Sequence, residues 1–150
     1  SGRSFIAPLA IQPQIERLLA ALQKVHADRE LNFELAIPPG FTLRMEQGDF
    51  MEVMGNLLDN AARFARHRVR IEAAQAGSFL QLSVIDDGPG LPSQDRELLL
   101  QRGVRADSQN PGQGIGLAVV AEIIQAHEGR LELGDADGGG ARITISLAKH

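Results

Sequence analysis

The chain has 150 residues, 43% hydrophobic and 23% charged, with a net charge of -4 and no cysteine. That length and mix fit one soluble globular domain with a sizeable core. The charge excludes a basic field for nucleic acid or an anionic membrane, and the missing thiols exclude disulfides and cysteine-ligated metal, which suits the cytosol. No apolar run is long enough to span a bilayer, because Glu122 interrupts the best one, Ile115 to Ile124. No signal peptide is evident, and Ser1-Gly2 reads as a cloning remnant, with the natural sequence expected to start near Arg3.

The first predicted element is a helix that has Pro13 early and carries Ile15, Leu18, Leu19, Leu22 and Val25 on one face. Leu31–Ile37 and Phe41–Met45 flank Pro38-Pro39-Gly40 and read as a hairpin-like pair of strands. Asp49 to about Arg66 is a second helix. Val69–Ala74 and Phe79–Asp86 are β-rich strands joined through Gly77-Ser78. Pro92 to Gly112 is polar and turn-rich, with a short helical stretch at Arg96–Gln101. Ile115 to about His127 is a third long helix, with Gly129 expected as its C′ residue. Arg130–Gly134 and Arg142–Ala148 are the last strands, around Asp137-Gly138-Gly139-Gly140. Strands in adjacent pairs between helices predict a mixed, mostly antiparallel sheet with helices on one face, an α/β two-layer sandwich. The 16 glycines cluster at 88–90, 103, 112–116 and 138–140, where the backbone turns sharply or lies close to something.

On the second helix, Phe50, Val53, Met54, Leu57, Leu58, Ala61, Phe64 and Ala65 form a core face. Glu52, Asn56, Asp59, Asn60 and Arg63 fall on the other side. A solvated face is the ordinary explanation, but such a face would use Glu, Lys or Arg, and Asn is a poor helix former. Two Asn one turn apart set two amide oxygens side by side, able to complete the shell of a hard cation already held by phosphates. Arg63, nearly two turns from Asn56, can pair with a phosphate.

Asp86-Asp87-Gly88-Pro89-Gly90 follows an apolar strand directly. It is good turn chemistry. It also offers a carboxylate at a strand end to accept a hydrogen bond from the exocyclic amine of adenine, with Gly88 and Gly90 leaving room for the base. Guanine would turn a carbonyl toward that carboxylate and be rejected. Gly112-Gln113-Gly114-Ile115-Gly116-Leu117 ends the long loop and opens a helix, whose free N–H groups suit an anion. It does not follow a strand, which excludes a Rossmann motif, and no Lys-Ser/Thr follows the glycines, which excludes a P-loop.

In this order the three segments resemble the ATP-binding family that unites histidine kinases, type II topoisomerase ATPase subunits, heat-shock chaperone ATPases and mismatch-repair ATPases. Asn56-Leu57-Leu58-Asp59-Asn60-Ala61 resembles its N box, and Asp86 to Gly90 its first glycine box. Gly112 to Leu117 resembles its second glycine box, and Gly139-Gly140-Ala141 with Thr144 its closing segment. The likeness covers roughly residue 4 to the end. The stretches Glu52–Ala61 and Arg102–Ala118 are most similar to sensor kinases of the PhoQ type. The resemblance implies a Bergerat-type sandwich with a lid over ATP, at about 92–113. It implies that Asp86, with Gly88 and Gly90, binds adenine and that Asn56 holds Mg2+. Asn60 and Arg63 would contact the phosphates, and Gln113 would reach the phosphates or Mg2+. Gly112, Gly114, Gly116 and Leu117 would line the nucleotide, with Arg102 and Arg105 as further phosphate candidates. Arg63 stands where the family commonly has Lys, which keeps the charge. The F box usually has a Phe; here it reads Leu98-Leu99-Leu100-Gln101-Arg102-Gly103.

The family's acceptor His is followed by Glu or Asp and a Pro-containing helical segment. His26, His67 and His150 lack that context, and His127-Glu128 precedes Gly129 as a helix-end cap. The phosphorylated His is therefore expected on a separate dimerisation domain, with the sensor and membrane spans upstream. That makes the chain the cytoplasmic domain of an inner-membrane receptor kinase, monomeric alone and homodimeric as a receptor, feeding a response regulator. Glu52 is the expected catalytic carboxylate, one turn before Asn56. The rivals are an ATPase clamp, which would continue into a transducer domain, and a non-catalytic nucleotide module, which would be expected to have lost its magnesium ligands.

Overall fold

Apolar residues at three- and four-residue spacing build the helices. In chain order the elements are β1 (Leu9–Ala10), α1 (Ile11–Val25), β2 (Asn32–Ala36), β3 (Thr42–Leu43), α2 (Gln47–Phe64), β4 (Arg68–Ala76), β5 (Phe79–Asp86), α3 (Gln113–Ala126), β6 (Arg130–Asp135) and β7 (Ala141–Ala148). The computed structural model describes residues 6–91 and 113–149, from 113 to 115 as backbone alone. The expected lid, with its helical stretch at Arg96–Gln101 and with Arg102, Arg105 and Gly112, lies outside the described residues.

α1 buries Ile11, Ile15, Leu19 and Leu22, and α2 buries Phe50, Val53, Met54, Leu57, Leu58 and Ala61. These stripes meet the strand residues of one parity: Val69, Ile71 and Ala73 on β4, Leu82 and Val84 on β5, Ile143, Ile145 and Leu147 on β7. Leu117, Val120 and Ile124 of α3 close the same cluster. The result is one core between a helical layer and a five-stranded sheet of order β2-β4-β5-β7-β6. β2 lies parallel to β4 and every other neighbour pair is antiparallel. The expected α/β sandwich with a mixed, mostly antiparallel sheet is what forms.

The opposite parity makes a polar face. Arg70 pairs with Glu34 at 3.2 Å and with Glu72 at 2.7 Å, and Arg142 reaches Glu72 at 3.1 Å. The Ser83 and Thr144 hydroxyls lie 2.8 Å apart and buried.

Several local expectations change. Val25, expected on the buried face of α1, is 70% exposed, and Phe64, expected on that of α2, is half-buried and outside the core cluster. β2 and β3 are not a hairpin: β3 pairs with β1 in a separate two-stranded sheet, while β2 runs beside β4 after the α2 crossover. Pro38 and Pro39 have no N–H for a hairpin ladder. The parallel register keeps Phe33 and Leu35 against the core. At the end of α3 the left-handed residue is Glu128, with φ 59, not Gly129. The Glu128 N–H donates to Gln125 O at 2.9 Å and the Gly129 N–H to Ile124 O at 2.9 Å, a Schellman ending. Gly129 is required for space instead, because a Cβ there would lie 2.6 Å from the Ser146 carbonyl oxygen.

The turn after α1 ties the two helices together. Arg29 Nη1 donates to Ala62 O at 2.5 Å and Nη2 donates to Ala65 O, so the guanidinium caps the last carbonyls of α2. Arg29→Ala is expected to cost about 1–2 kcal/mol of unfolding free energy, measured by urea denaturation. Arg29→Lys should recover only part of it, since an ammonium cannot reproduce the forked contact.

Candidate functional site

The end of β5 places Asp86 where the sheet stops. The residue is 6% exposed, and its Oδ1 accepts the Gly88 N–H at 2.8 Å and the Ala141 N–H at 3.5 Å. Burial pushes this carboxyl above the ordinary carboxylate range. The Gly88 and Ala141 N–H groups oppose that shift without cancelling it, and the neighbouring Asp87 charge adds to it. One oxygen is thus fixed by backbone.

Backbone crowding explains the glycines around it. A Cβ on Gly88 would overlap the Phe64 carbonyl, and one on Gly140 would overlap the Asp86 carbonyl. Gly90 has φ 85, and a Cβ there would stand 3.2 Å from the Gly140 oxygen. The first glycine box, the closing segment and the end of α2 therefore pack as one unit around Asp86.

Asp87 locks that unit from the other side. Its Oδ1 accepts the Arg66 N–H at 2.7 Å, and both its oxygens accept from His67 N–H at 3.1 Å. Partial desolvation works against the charge, but the N–H groups of His67, Arg68 and Arg66 outweigh it and hold the carboxyl below its ordinary range. The turn from α2 to β4 is thereby fastened to the strand end that carries Asp86.

On α2, the Asn56 amide donates through Nδ2 to the Glu52 backbone carbonyl at 2.8 Å. That leaves Oδ1 facing the start of α3, where a Cβ on Gly116 would come within 3.1 Å of it. Gly116 thus lets a helix N-terminus approach a neutral amide oxygen. Glu52 is exposed and Asn60 half-buried on the same side of α2. Arg63 Nη2 lies 3.1 Å from Asp59 Oδ2. Gly112, Arg102 and Arg105 lie outside the described residues, as does the Gln113 side chain, although Gln113 and Gly114 open α3. Leu117 is 2% exposed and belongs to the core, so only its backbone can face a ligand.

The structure thus brings together Asp86, Gly88, Gly90 and Gly140 at one place, and Asn56 with Gly116 at another. Thr144 does not join them: it sits on the polar face of β7, bonded to Ser83. The closing segment contributes the Ala141 N–H and the bare Gly140 instead. Sequence reasoning missed both Ala141 and the clasp of Asp87; only the Gly139-Gly140-Ala141 run signalled the former. A cleft of about 320 Å³ between Pro38, Phe41, Arg44, Leu80 and Lys149 opens near the other end of β5 and holds none of the candidate residues. Among the described residues, no three His, Cys, Asp or Glu side chains could hold a metal together.

Comparison with known proteins agrees with this architecture. The family described as "Histidine kinase-, DNA gyrase B-, and HSP90-like ATPase" matches residues 45–150. The two-component sensor PhoQ of Pseudomonas aeruginosa is 43% identical over 138 residues, 92% of this chain and 31% of that protein. The sensor protein PhoQ of Escherichia coli is 43% identical over 140 residues, 93% of this chain and 29% of that protein. The solved mycobacterial sensor histidine kinase MprB superposes with a TM-score of 0.80 at 29% identity, covering 95% of this chain and 97% of that one. The chain therefore spans about 30% of the length of the PhoQ sensors it matches. A fold, a motif order and a family match that all converge make this chain a member of the histidine kinase-, DNA gyrase B- and HSP90-like ATPase family, similar to PhoQ sensor kinases.

Proposed function

We propose that this chain binds Mg-ATP and transfers the γ-phosphate to a histidine on a separate helical dimerisation domain of a two-component sensor kinase. The observation that carries the reading is Asp86. One oxygen of a buried carboxylate is held by backbone N–H groups, so the other is a fixed acceptor for the adenine amine. An acceptor held in place needs no reorganisation on binding, which favours adenine over guanine.

The remaining roles follow from placement. Asn56 offers a neutral amide oxygen beside the start of α3, and Asn60 and Arg63 share its side of α2. Such a donor set fits a divalent cation that the phosphates bring with them, since neutral oxygens alone bind hard cations weakly. Magnesium bound there would neutralise phosphate charge. Gln113, Arg102 and Arg105 would reach the phosphates from the loop side. Catalysis is then mostly positioning and charge neutralisation.

His26 and His127 are both placed poorly for an acceptor. His26 Nε2 is buried, and His127 Nε2 lies 3.0 Å from Asp49 at the junction of α2 and α3. Among the described residues no helix is long and apolar enough to cross a membrane. The acceptor helices and the membrane anchor belong to the proposed larger receptor, and the response regulator is its separate partner.

Two measurements test this reading. The chain alone with Mg-ATP should form no acid-labile phosphate, and adding the receptor's acceptor-histidine helices should produce phosphohistidine on them. Self-phosphorylation of the chain, or no transfer in the mixture, would refute it. Titrating magnesium without nucleotide should give no saturable heat, because the cation site is incomplete without phosphates.

A further inference from the structure

Arg63, assigned above to the phosphates, is engaged elsewhere in this structure. Its Nη2 lies 3.1 Å from Asp59 Oδ2, one turn earlier on α2. The other carboxylate oxygen, Oδ1, stands 3.7 Å from His26 Nε2 at the end of α1. That nitrogen is buried and has no hydrogen-bond partner. The separation is slightly too long for a hydrogen bond, so the imidazole faces a carboxylate it does not quite reach.

The scaffold around His26 is fastened. Its backbone N–H donates to Leu22 O at 2.9 Å, and its carbonyl accepts the Arg29 N–H at 3.0 Å. Arg29 in turn grips the carbonyls of Ala62 and Ala65. Asp59 is the charged group that faces the imidazole, with Arg63 paired to its far oxygen. These bonds hold the His26 backbone beside α2, where the Asp59 and Arg63 side chains are both partly exposed to solvent.

Helical geometry gives the direction of that rearrangement. At about 100° per residue, Arg63 projects between Asp59 on one side and Asn56 and Asn60 on the other. A change of rotamer carries its guanidinium from the carboxylate toward the asparagines. We infer that Asp59 is a positioning residue that holds Arg63 while the phosphate site is empty and exchanges it for His26 when a phosphate draws Arg63 away. The exchange leaves neither side chain without a partner: the phosphate takes the guanidinium, and Asp59 closes on His26 Nε2, which had none. The ion pair therefore competes with nucleotide, and His26 reduces the cost of breaking it. This inference rests on the nucleotide reading above.

The test is calorimetry with Mg-ATP and with adenosine on the wild type, Asp59→Asn, Arg63→Gln and the double variant. Asp59→Asn should tighten Mg-ATP by roughly two- to fivefold, the range of an exposed ion pair, and leave adenosine unchanged. The gain should vanish in the Arg63→Gln background. Asp59→Glu, which restores a carboxylate, should return ATP affinity toward wild type. In NMR spectra the His26 ring resonances should shift on adding Mg-ATP to the wild type, and not with adenosine. Unchanged or weakened ATP binding by Asp59→Asn would overturn the inference. So would a gain that persists without Arg63, since Asp59 would then act only as a diffuse negative charge. Failure of the wild type to bind Mg-ATP would instead refute the nucleotide reading itself, and the exchange with it.

Discussion

Replacing Asp86 with asparagine is expected to weaken ATP binding by about one to two decades while leaving the empty domain more stable at neutral pH. The first effect is a matter of donors and acceptors. Asp86 Oδ1 is committed to the Gly88 N–H at 2.8 Å. In Asp86→Asn the amide oxygen has to keep that bond, which turns the NH2 group toward the adenine amine, donor against donor. Losing one charge-assisted hydrogen bond and facing a repulsive one removes about 1.5–3 kcal/mol. The second effect comes from desolvation, which raises the carboxyl above its ordinary range. A raised carboxyl binds more protons folded than unfolded between its ordinary and its folded value. Wild-type stability therefore falls as pH rises through that window, and the penalty is fully present above it. Asparagine has no such penalty. Urea denaturation should show the variant more stable than wild type at pH 7, with the difference shrinking as pH falls through the window. Unchanged ATP affinity in calorimetry would remove Asp86 from the site.

The two effects have opposite signs, which separates function from folding. A residue kept only for the turn would lose stability on substitution and leave ligand affinity alone. A buried carboxylate that costs stability and is nonetheless central to its surroundings is the pattern of a site in which stability is exchanged for recognition.

Much of this was legible in the sequence where the chemistry is carried by side chains within one element. The apolar stripe of α2 and the polar residues opposite it follow from helical period, and apart from the half-buried Phe64 they appear where periodicity puts them. The position of Asp86 at the end of β5 follows from an apolar strand meeting Asp-Gly. The pairing of β3 with β1 was not legible, because a two-residue strand has no period. The parallel placement of β2 was hidden for a different reason. Pro38-Pro39-Gly40 is good turn chemistry, yet which strand lies beside β2 is decided by how α2 packs, and that information lies outside the turn's own window.

Backbone contributions were equally hidden. Ala141 gives the site only an N–H, and nothing in an alanine advertises that. Arg29 acts on carbonyls at Ala62 and Ala65, a relation between the turn after α1 and the end of α2 that no local window contains. Gly129 was expected to provide a left-handed backbone. Glu128 provides it, and Gly129 is needed because β7 passes too close for a side chain. A glycine in a sequence cannot say which of its two uses applies; the neighbour in space decides.

Substituting Glu52 by glutamine is expected to slow histidine phosphorylation at least tenfold, about 1.4 kcal/mol in the barrier, with ATP affinity unchanged. Glu52 is exposed on α2, one turn before Asn56, and the two are joined through the Glu52 carbonyl, which accepts the Asn56 amide at 2.8 Å. That bond uses only backbone from Glu52, so Asn56 is held in orientation without the exposed Glu52 side chain. A carboxylate there can orient an incoming imidazole or take its proton, and general-base help is worth roughly two to four decades. The competing explanation is structural. An acidic residue near the start of a helix is favoured by about 0.3–1 kcal/mol through the helix dipole. But Asp49 already occupies the first turn of α2, and Glu52 lies beyond it, where that benefit fades. The two explanations separate in the KM-against-kcat pattern. A catalytic Glu52 lowers the rate with KM for ATP unchanged, because glutamine keeps the size and loses only the basicity. A structural Glu52 lowers the denaturation midpoint and leaves the rate of the folded protein alone. The measurement needs protein that carries the acceptor helices, with transfer followed as acid-labile phosphate. An unchanged rate in Glu52→Gln would assign the residue to the helix surface. Rapid ATP hydrolysis by the chain alone, abolished in Glu52→Gln, would show that water is the acceptor and the carboxylate its base. The chain would then work as an ATPase clamp, and the proposed histidine transfer would fail with that result.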